Sequence, residues 1–126
     1  MLLPYKAWLK EEREIKDVRS IYFDGNDFLG IEGACVVVEG RCDLFEVDEE
    51  VELMQSTGSK DKNGVEIYTG HICWSDDFGG FGKIVFDKEH FIEFICDEEN
   101  TLCCSLSFIA DEIEVVGNIY ENLDLL

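Results

Sequence analysis

Positive charge is scarce in this 126-residue chain: ten Lys and Arg stand against 29 Asp and Glu, a formal net charge of −19. That sign argues against non-specific binding to nucleic acid or anionic membrane, which depends on cationic surface. Proline occurs once and histidine twice. A single proline excludes a proline-rich linker, and two histidines leave little material for histidine-based catalysis or metal ligation. Long apolar runs are missing too: a stretch such as Ala34 to Val38 is far too short to span a bilayer. Met1-Leu2-Leu3-Pro4-Tyr5-Lys6 shows no basic region followed by an apolar stretch, so no secretory signal is expected and the expected location is the cytoplasm. Six cysteines (35, 42, 73, 96, 103 and 104) form no CxxC pair. In a reducing compartment they read as free, small core hydrophobes, with no metal and no cofactor implied.

What is present suffices for a core. Hydrophobic residues make up 46% of the chain and aromatics 12%, so the expectation is one folded domain, at most with a small satellite, and not a disordered acidic chain. Charge is unevenly spread. Residues 1–20 carry five bases and four acids (+1), which leaves five bases and 25 acids (−20) on residues 21–126.

Turn signals recur about every ten residues between short segments rich in Val, Ile, Phe and Tyr, which is the spacing of an all-β domain. Asp24-Gly25-Asn26-Asp27 follows Ser20–Phe23, and Glu39-Gly40-Arg41 follows Cys35–Val38. Lys62-Asn63-Gly64 precedes Val65–Tyr68, and an Asn-Gly step flanked this way is a strong hairpin signal. Gly79-Gly80-Phe81-Gly82 leads into Lys83–Phe86; Asp87-Lys88-Glu89 and Asp97–Asn100 bracket Phe91–Cys96. Further strands are expected over Leu102–Ile109 and Ile113–Val116. Lys10–Val18 has two readings. Its Glu and Lys favour helix, but only Ile15 and Val18 supply an apolar face, so a charged hairpin tip fits equally. The polar, turn-rich segment Ser56–Gly64 divides an N-terminal β region, 1–55, from a small C-terminal β-barrel, 56–126, the two together forming one compact unit.

Three blocks carry a family resemblance. Leu53–Ile72, containing Lys60-Asp61-Lys62-Asn63-Gly64 and Ile67-Tyr68-Thr69-Gly70, and the ending Ile113–Leu126, containing Val116-Gly117-Asn118-Ile119-Tyr120, resemble the signatures of YopX-type proteins carried by phages and prophages of Gram-positive bacteria. Tyr5-Lys6-Ala7-Trp8 is similar to that family's opening strand. The sequence departs at His71, where the family usually has an acid, and at Leu123, where it usually has proline. The resemblance implies an all-β fold with an SH3-like small barrel and at most one or two short helices. It also implies self-association, a phage or prophage origin and hence the cytoplasm of a host bacterium. It implies no established activity and no catalytic residues.

The shared blocks read structurally: Gly64 supplies a positive φ, the charges around it keep the turn in water, and Gly70 and Gly117 mark bulges or close backbone approaches. Motifs that suggest chemistry fail on inspection. Gly79–Lys83 lacks the Ser or Thr that a phosphate loop needs, since Ile84 follows the lysine. Asp24–Asp27 opens like a calcium loop, but Phe28 and Cys35 stand at ligand positions. Cys73 or Ser75 beside His71 lacks an oxyanion turn, and Ile72-Cys73-Trp74 reads as buried strand. The remaining feature is Trp74–Phe81, an acidic, glycine-rich turn with three large aromatics, whose Trp74, Asp76, Asp77, Phe78 and Phe81 are candidate protein-binding residues. The same aromatics could instead fold inward and cap the barrel. The expected function is a non-enzymatic, self-associating interaction module with a basic protein partner of host or phage, binding neither nucleic acid directly nor membrane. Two alternatives stand beside it: a small metal-dependent hydrolase or nuclease built on clustered carboxylates, and an acidic mimic of DNA that inhibits a host DNA-binding protein.

Overall fold

The computed structural model describes residues 4–24, 28, 30–86, 92–96 and 103–126, with Cys103 described in its backbone only. The chain is all-β, with eleven antiparallel strands and one short helix among these residues. It divides into two compact units, Met1–Gln55 and Ser56–Leu126. No helix among the described residues is long and apolar enough to cross a membrane.

In the first unit the strand order is β4 (Phe45–Glu46), β3 (Cys35–Val38), β2 (Glu14–Tyr22), β1 (Tyr5–Leu9) and the first half of β5 (Val51–Lys60). Lys10–Val18 is the hairpin. Leu9 pairs with Glu14 and Trp8 with Ile15, and the tip closes through the Arg13 N–H donating to the Leu9 carbonyl at 2.8 Å, with Arg13 at φ 58°. A helix here could bury only Ile15 and Val18, whereas the hairpin brings Ala7, Leu9 and Val18 into one cluster with Val36, Val38, Phe45 and Val51. Period-two packing therefore prevails over helix propensity.

In the second unit the second half of β5 pairs with β6 (Glu66–Tyr68), through Ser56 opposite Tyr68 and Lys60 opposite Glu66. A five-stranded sheet follows in the order β10 (Cys103–Ser105), β9 (Ile92–Ile95), β8 (Gly80–Phe86), β7 (His71–Ser75) and β11 (Ile113–Asn118). Its core holds Ile67, Cys73, Ile84, Phe94, Leu106, Ile109 and Ile113. The barrel expected over 56–126 is not closed: among the described residues no ladder joins the edge strands β10 and β11. The strand expected over Leu102–Ile109 explains part of this. Only Cys103–Ser105 is strand; Leu106–Ile109 is a helical turn, α1, and Ala110–Glu112 a 3₁₀ turn. Leu106 and Ile109 lie three apart, so a helical turn sends both into the core and leaves Phe108 80% exposed, while an extended chain would put them on opposite faces. The turns expected at Asp24–Asp27, Asp87–Glu89 and Asp97–Asn100 fall wholly or largely outside the described residues, as does His90.

Candidate functional site

The Lys62-Asn63-Gly64 turn has Gly64 at φ 82°, but its acid is not in water. Asp61 is buried, 5% exposed, and its carboxylate accepts three backbone N–H groups: Asn63 and Val65 on Oδ1, both at 2.9 Å, and Val115 of β11 on Oδ2 at 2.8 Å. The expectation that every charge of this block is solvated is thus corrected for Asp61. Burial alone would raise its pKa, but the N–H donors of Val115, Val65 and Asn63, helped by nearby His71, outweigh that and hold it below the ordinary carboxylate range. The same turn reaches β11 through the Lys62 N–H donating to the Ile113 carbonyl at 3.0 Å, and through Lys62 and Asn63 contacts to Glu114. Asp61 is an anchor for the fold and has no geometry for catalysis.

The C-terminal block is built in a similar way. Buried Asn118 accepts the Tyr120 and Glu121 N–H groups on Oδ1, each at 2.9 Å, and its amide donates to Glu121 Oε1 at 3.0 Å. Gly117 follows a register shift in β11, and a Cβ there would run into the Asn122 side chain that accepts the Asn118 N–H. Both signature blocks therefore hold turns against the sheet.

The histidine and thiol considered as a nucleophilic pair are occupied elsewhere. His71 Nδ1 accepts the Tyr68 N–H at 3.0 Å, and the rings of Tyr68 and His71 meet edge-on. Cys73 is fully buried, and burial, with Asp61's charge nearby, pushes its thiol up to about 12, so it stays protonated at neutral pH. Among the described residues no three His, Cys, Asp or Glu side chains converge as a metal site.

The five candidate residues lie on the β7–β8 hairpin, but not as one patch. Trp74 and Phe81 are directly opposite across the pair and meet edge-to-face at 4.9 Å, both half-buried. They share the sheet face away from Cys73 and Ile84. Trp74 Nε1–H donates to Asp76 Oδ1 at 2.7 Å, which fixes the indole. Phe78 leans the other way, its ring 5.8 Å from that of core residue Phe94, while 38% of it stays exposed. Its N–H donates to buried Ser75 Oγ at 3.2 Å. The turn thus combines the two readings, with Phe78 partly capping the core and Trp74 and Phe81 paired, half-buried, on the sheet face that also carries buried Ile72.

The fold adds acids from far along the chain. Because Ile113 pairs with Ser75, the 3₁₀ turn before β11 lies beside the hairpin tip. The Glu112 carboxyl is raised above its ordinary range, first by the charge of Asp77, then by a hydrogen bond with Asp77, with smaller contributions from burial and Asp111. Among the described residues Asp76, Asp77, Asp111 and Glu112 have no Lys or Arg ion-pair partner, whereas Glu12, Glu14, Asp43, Glu52 and Glu114 do. In the first unit, Arg41 lies over the Phe45 ring and binds Asp43 at 2.6 Å and Glu12 at 3.2 Å. Lys10 joins Glu52 at 3.1 Å and the Asp48 carbonyl. A concavity of about 140 Å³ between Lys10, Glu11, Glu12, Phe45, Glu49 and Glu50 is thereby served by the chain's own cations.

Known proteins place this architecture. No curated protein matches the chain. Among solved structures, the crystal structure of protein EF1440 from Enterococcus faecalis aligns with a TM-score of 0.59 at 23% identity, covering 100% of this chain and 99% of that one. At that identity the likeness speaks for the fold. A family model described as YopX protein matches residues 4–126. The chain belongs to the YopX protein family.

Proposed function

We propose that this chain is a non-enzymatic accessory protein of a phage or prophage, a self-associating interaction module that works in the cytoplasm of a host bacterium and takes a basic protein as partner. The contact surface is the tip of the β7–β8 hairpin together with the 3₁₀ turn at Asp111–Glu112. One observation carries the reading: Asp77 lies close enough to Glu112 for its charge to raise the Glu112 carboxyl, neither acid has a Lys or Arg ion-pair partner among the described residues, and exposed Phe78 stands next to them. Two carboxyl groups so placed repel, and an arriving guanidinium or ammonium relieves the repulsion while the aromatic ring supplies apolar area. Elsewhere in the chain, Arg41 is held in the same way, between acids and over Phe45.

The test is calorimetric titration with a short arginine-rich peptide. Binding that weakens with salt and is reduced by Asp77→Asn, Glu112→Gln and Phe78→Ser supports the reading; equal binding by all three variants refutes it. Turnover of nucleic acid or ester substrates with added Mg²⁺ or Mn²⁺, abolished by Glu112→Gln, would favour a carboxylate hydrolase. Competition with duplex DNA for one basic protein, insensitive to Phe78→Ser, would favour a DNA mimic.

A further inference from the structure

Of the chain's asparagines, Asn63 alone precedes a glycine. Glycine has no Cβ to keep its backbone nitrogen away from the preceding side chain, so at this step an asparagine amide is most open to attack by its own backbone. Both residues are exposed, and Gly64 stands at φ 82° with no atom within 4 Å of where a Cβ would be. The fold nevertheless occupies both reacting groups. The nucleophile, the Gly64 nitrogen, has its N–H on the Asp61 carbonyl at 3.0 Å. The electrophile, the Asn63 amide, donates to Glu114 Oε1 of β11 at 3.3 Å. The Asn63 N–H is fixed in turn on Asp61 Oδ1. Asn118, buried and followed by β-branched Ile119, offers no comparable approach.

We propose that Asn63-Gly64 is a site of spontaneous deamidation, kept slow in the folded chain by these hydrogen bonds, and that its product releases the Asp61 turn from β11 irreversibly. When the turn opens, the Gly64 nitrogen gives its proton to solvent base and attacks Asn63 Cγ. The new N–C bond closes a cyclic imide and the Cγ–Nδ2 bond breaks. Ammonia departs with that bond's electron pair and a proton returned by solvent. Water then opens the imide. Attack at Cγ leaves aspartate in a normal backbone, and attack at the backbone carbonyl leaves isoaspartate, with the chain running through Cγ. The balance is water in and ammonia out, with nothing oxidised or reduced. Either product sets a carboxylate where the amide met Glu114, so a hydrogen bond becomes a repulsion. Isoaspartate also adds a methylene to the backbone between the Asn63 and Val65 N–H groups, which Asp61 Oδ1 holds together at 2.9 Å. Asp61 then loses the position from which its Oδ2 accepts the Val115 N–H. The site is separate from the Asp77–Glu112 surface and does not rest on its reading.

The test follows the full chain at mildly alkaline pH, folded and in urea. Samples are cut with pepsin in acid, where the reaction halts, and the peptide holding Asn63 is weighed over time for the change from amide to acid. Conversion in the folded chain should run about tenfold or more slower than in urea, the equivalent of one or two net hydrogen bonds. Glu114→Ala, which removes the amide's acceptor at a partly exposed position, should speed conversion in the folded chain about fivefold. Asn63→Asp, the normal product, should let the Val115 N–H exchange with solvent faster than Asn63→Ser, which merely loses the amide. Equal rates folded and in urea overturn the proposal, as does a folded Glu114→Ala chain that converts no faster than wild type. Equal Val115 exchange in Asn63→Asp and Asn63→Ser overturns the release of β11. If Glu114→Ala does not melt cooperatively, the ratio of folded to urea rates in the wild type decides the guarding alone.

Discussion

Replacing Asp61 by alanine removes one carboxylate and leaves three N–H donors without their acceptor. The distances, 2.8 to 2.9 Å, are those of charge-assisted bonds, each contributing about 1.5–3 kcal/mol net. Two of the donors, on Asn63 and Val65, belong to exposed residues and regain water, while that of Val115 is half-buried and does not. The expected cost is therefore about 3 kcal/mol, below a simple sum of three bonds, and about 10 °C in Tm for a chain of this size. The pH dependence follows from the lowered carboxyl. Its folded pKa lies below the ordinary 3.8, so its stabilisation is complete above that value and is lost as pH falls through the folded pKa. Thermal melts of wild type and Asp61→Ala at low protein concentration should differ fully at neutral pH and converge in acid. Equal Tm at neutral pH, or a difference that persists undiminished below the folded pKa, would refute the anchor role.

Gly82→Ala should destabilise by about 1–3 kcal/mol. A Cβ there would lie 2.5 Å from the Phe94 ring and 2.8 Å from the Ile95 carbonyl oxygen, and neither can retreat; an unchanged denaturation midpoint would show that the core is looser than described. Exposed Cys42 should be alkylated by iodoacetamide in the native protein, and Cys73 only after unfolding, as mass spectrometry of timed digests would show. Modification of Cys73 at the rate of Cys42 would contradict its burial.

Much of the fold was legible because turns and alternation carry it. The Asn-Gly step at 63–64 and Gly79 lie in hairpin turns, and the strands between read as period-two segments. The N-terminal ambiguity could not be resolved locally: Glu and Lys at 10–14 suit a helix or a tip equally, and only the Leu9–Val51 and Leu9–Glu14 pairings decide it. Leu106–Ile109 misled because its apolar residues satisfy strand propensity, while the helical i, i+3 relation rests on just two residues. Asp61 was missed for a physical reason. An aspartate within a charged turn looks solvated, and its burial depends on Val115, far along the chain, although Asp-x-Asn-Gly does carry the signal of a side chain folding back on its own turn. The approach of Glu112 to Asp77 is likewise a product of β7–β11 pairing.

The proposed docking of a basic partner places it on the acidic, aromatic tip of the β7–β8 hairpin. The most direct measurement is an NMR titration with an arginine-rich peptide, followed at the Trp74 indole N–H, whose bond to Asp76 makes it a reporter placed at the tip. This resonance and the amides of 76–79 and 111–112 should shift together, with a midpoint that rises with salt, while a glutamate-rich peptide of equal length leaves them still. Shifts spread evenly over all acidic turns, or concentrated at Glu46–Glu52 with the indole unmoved, would contradict it.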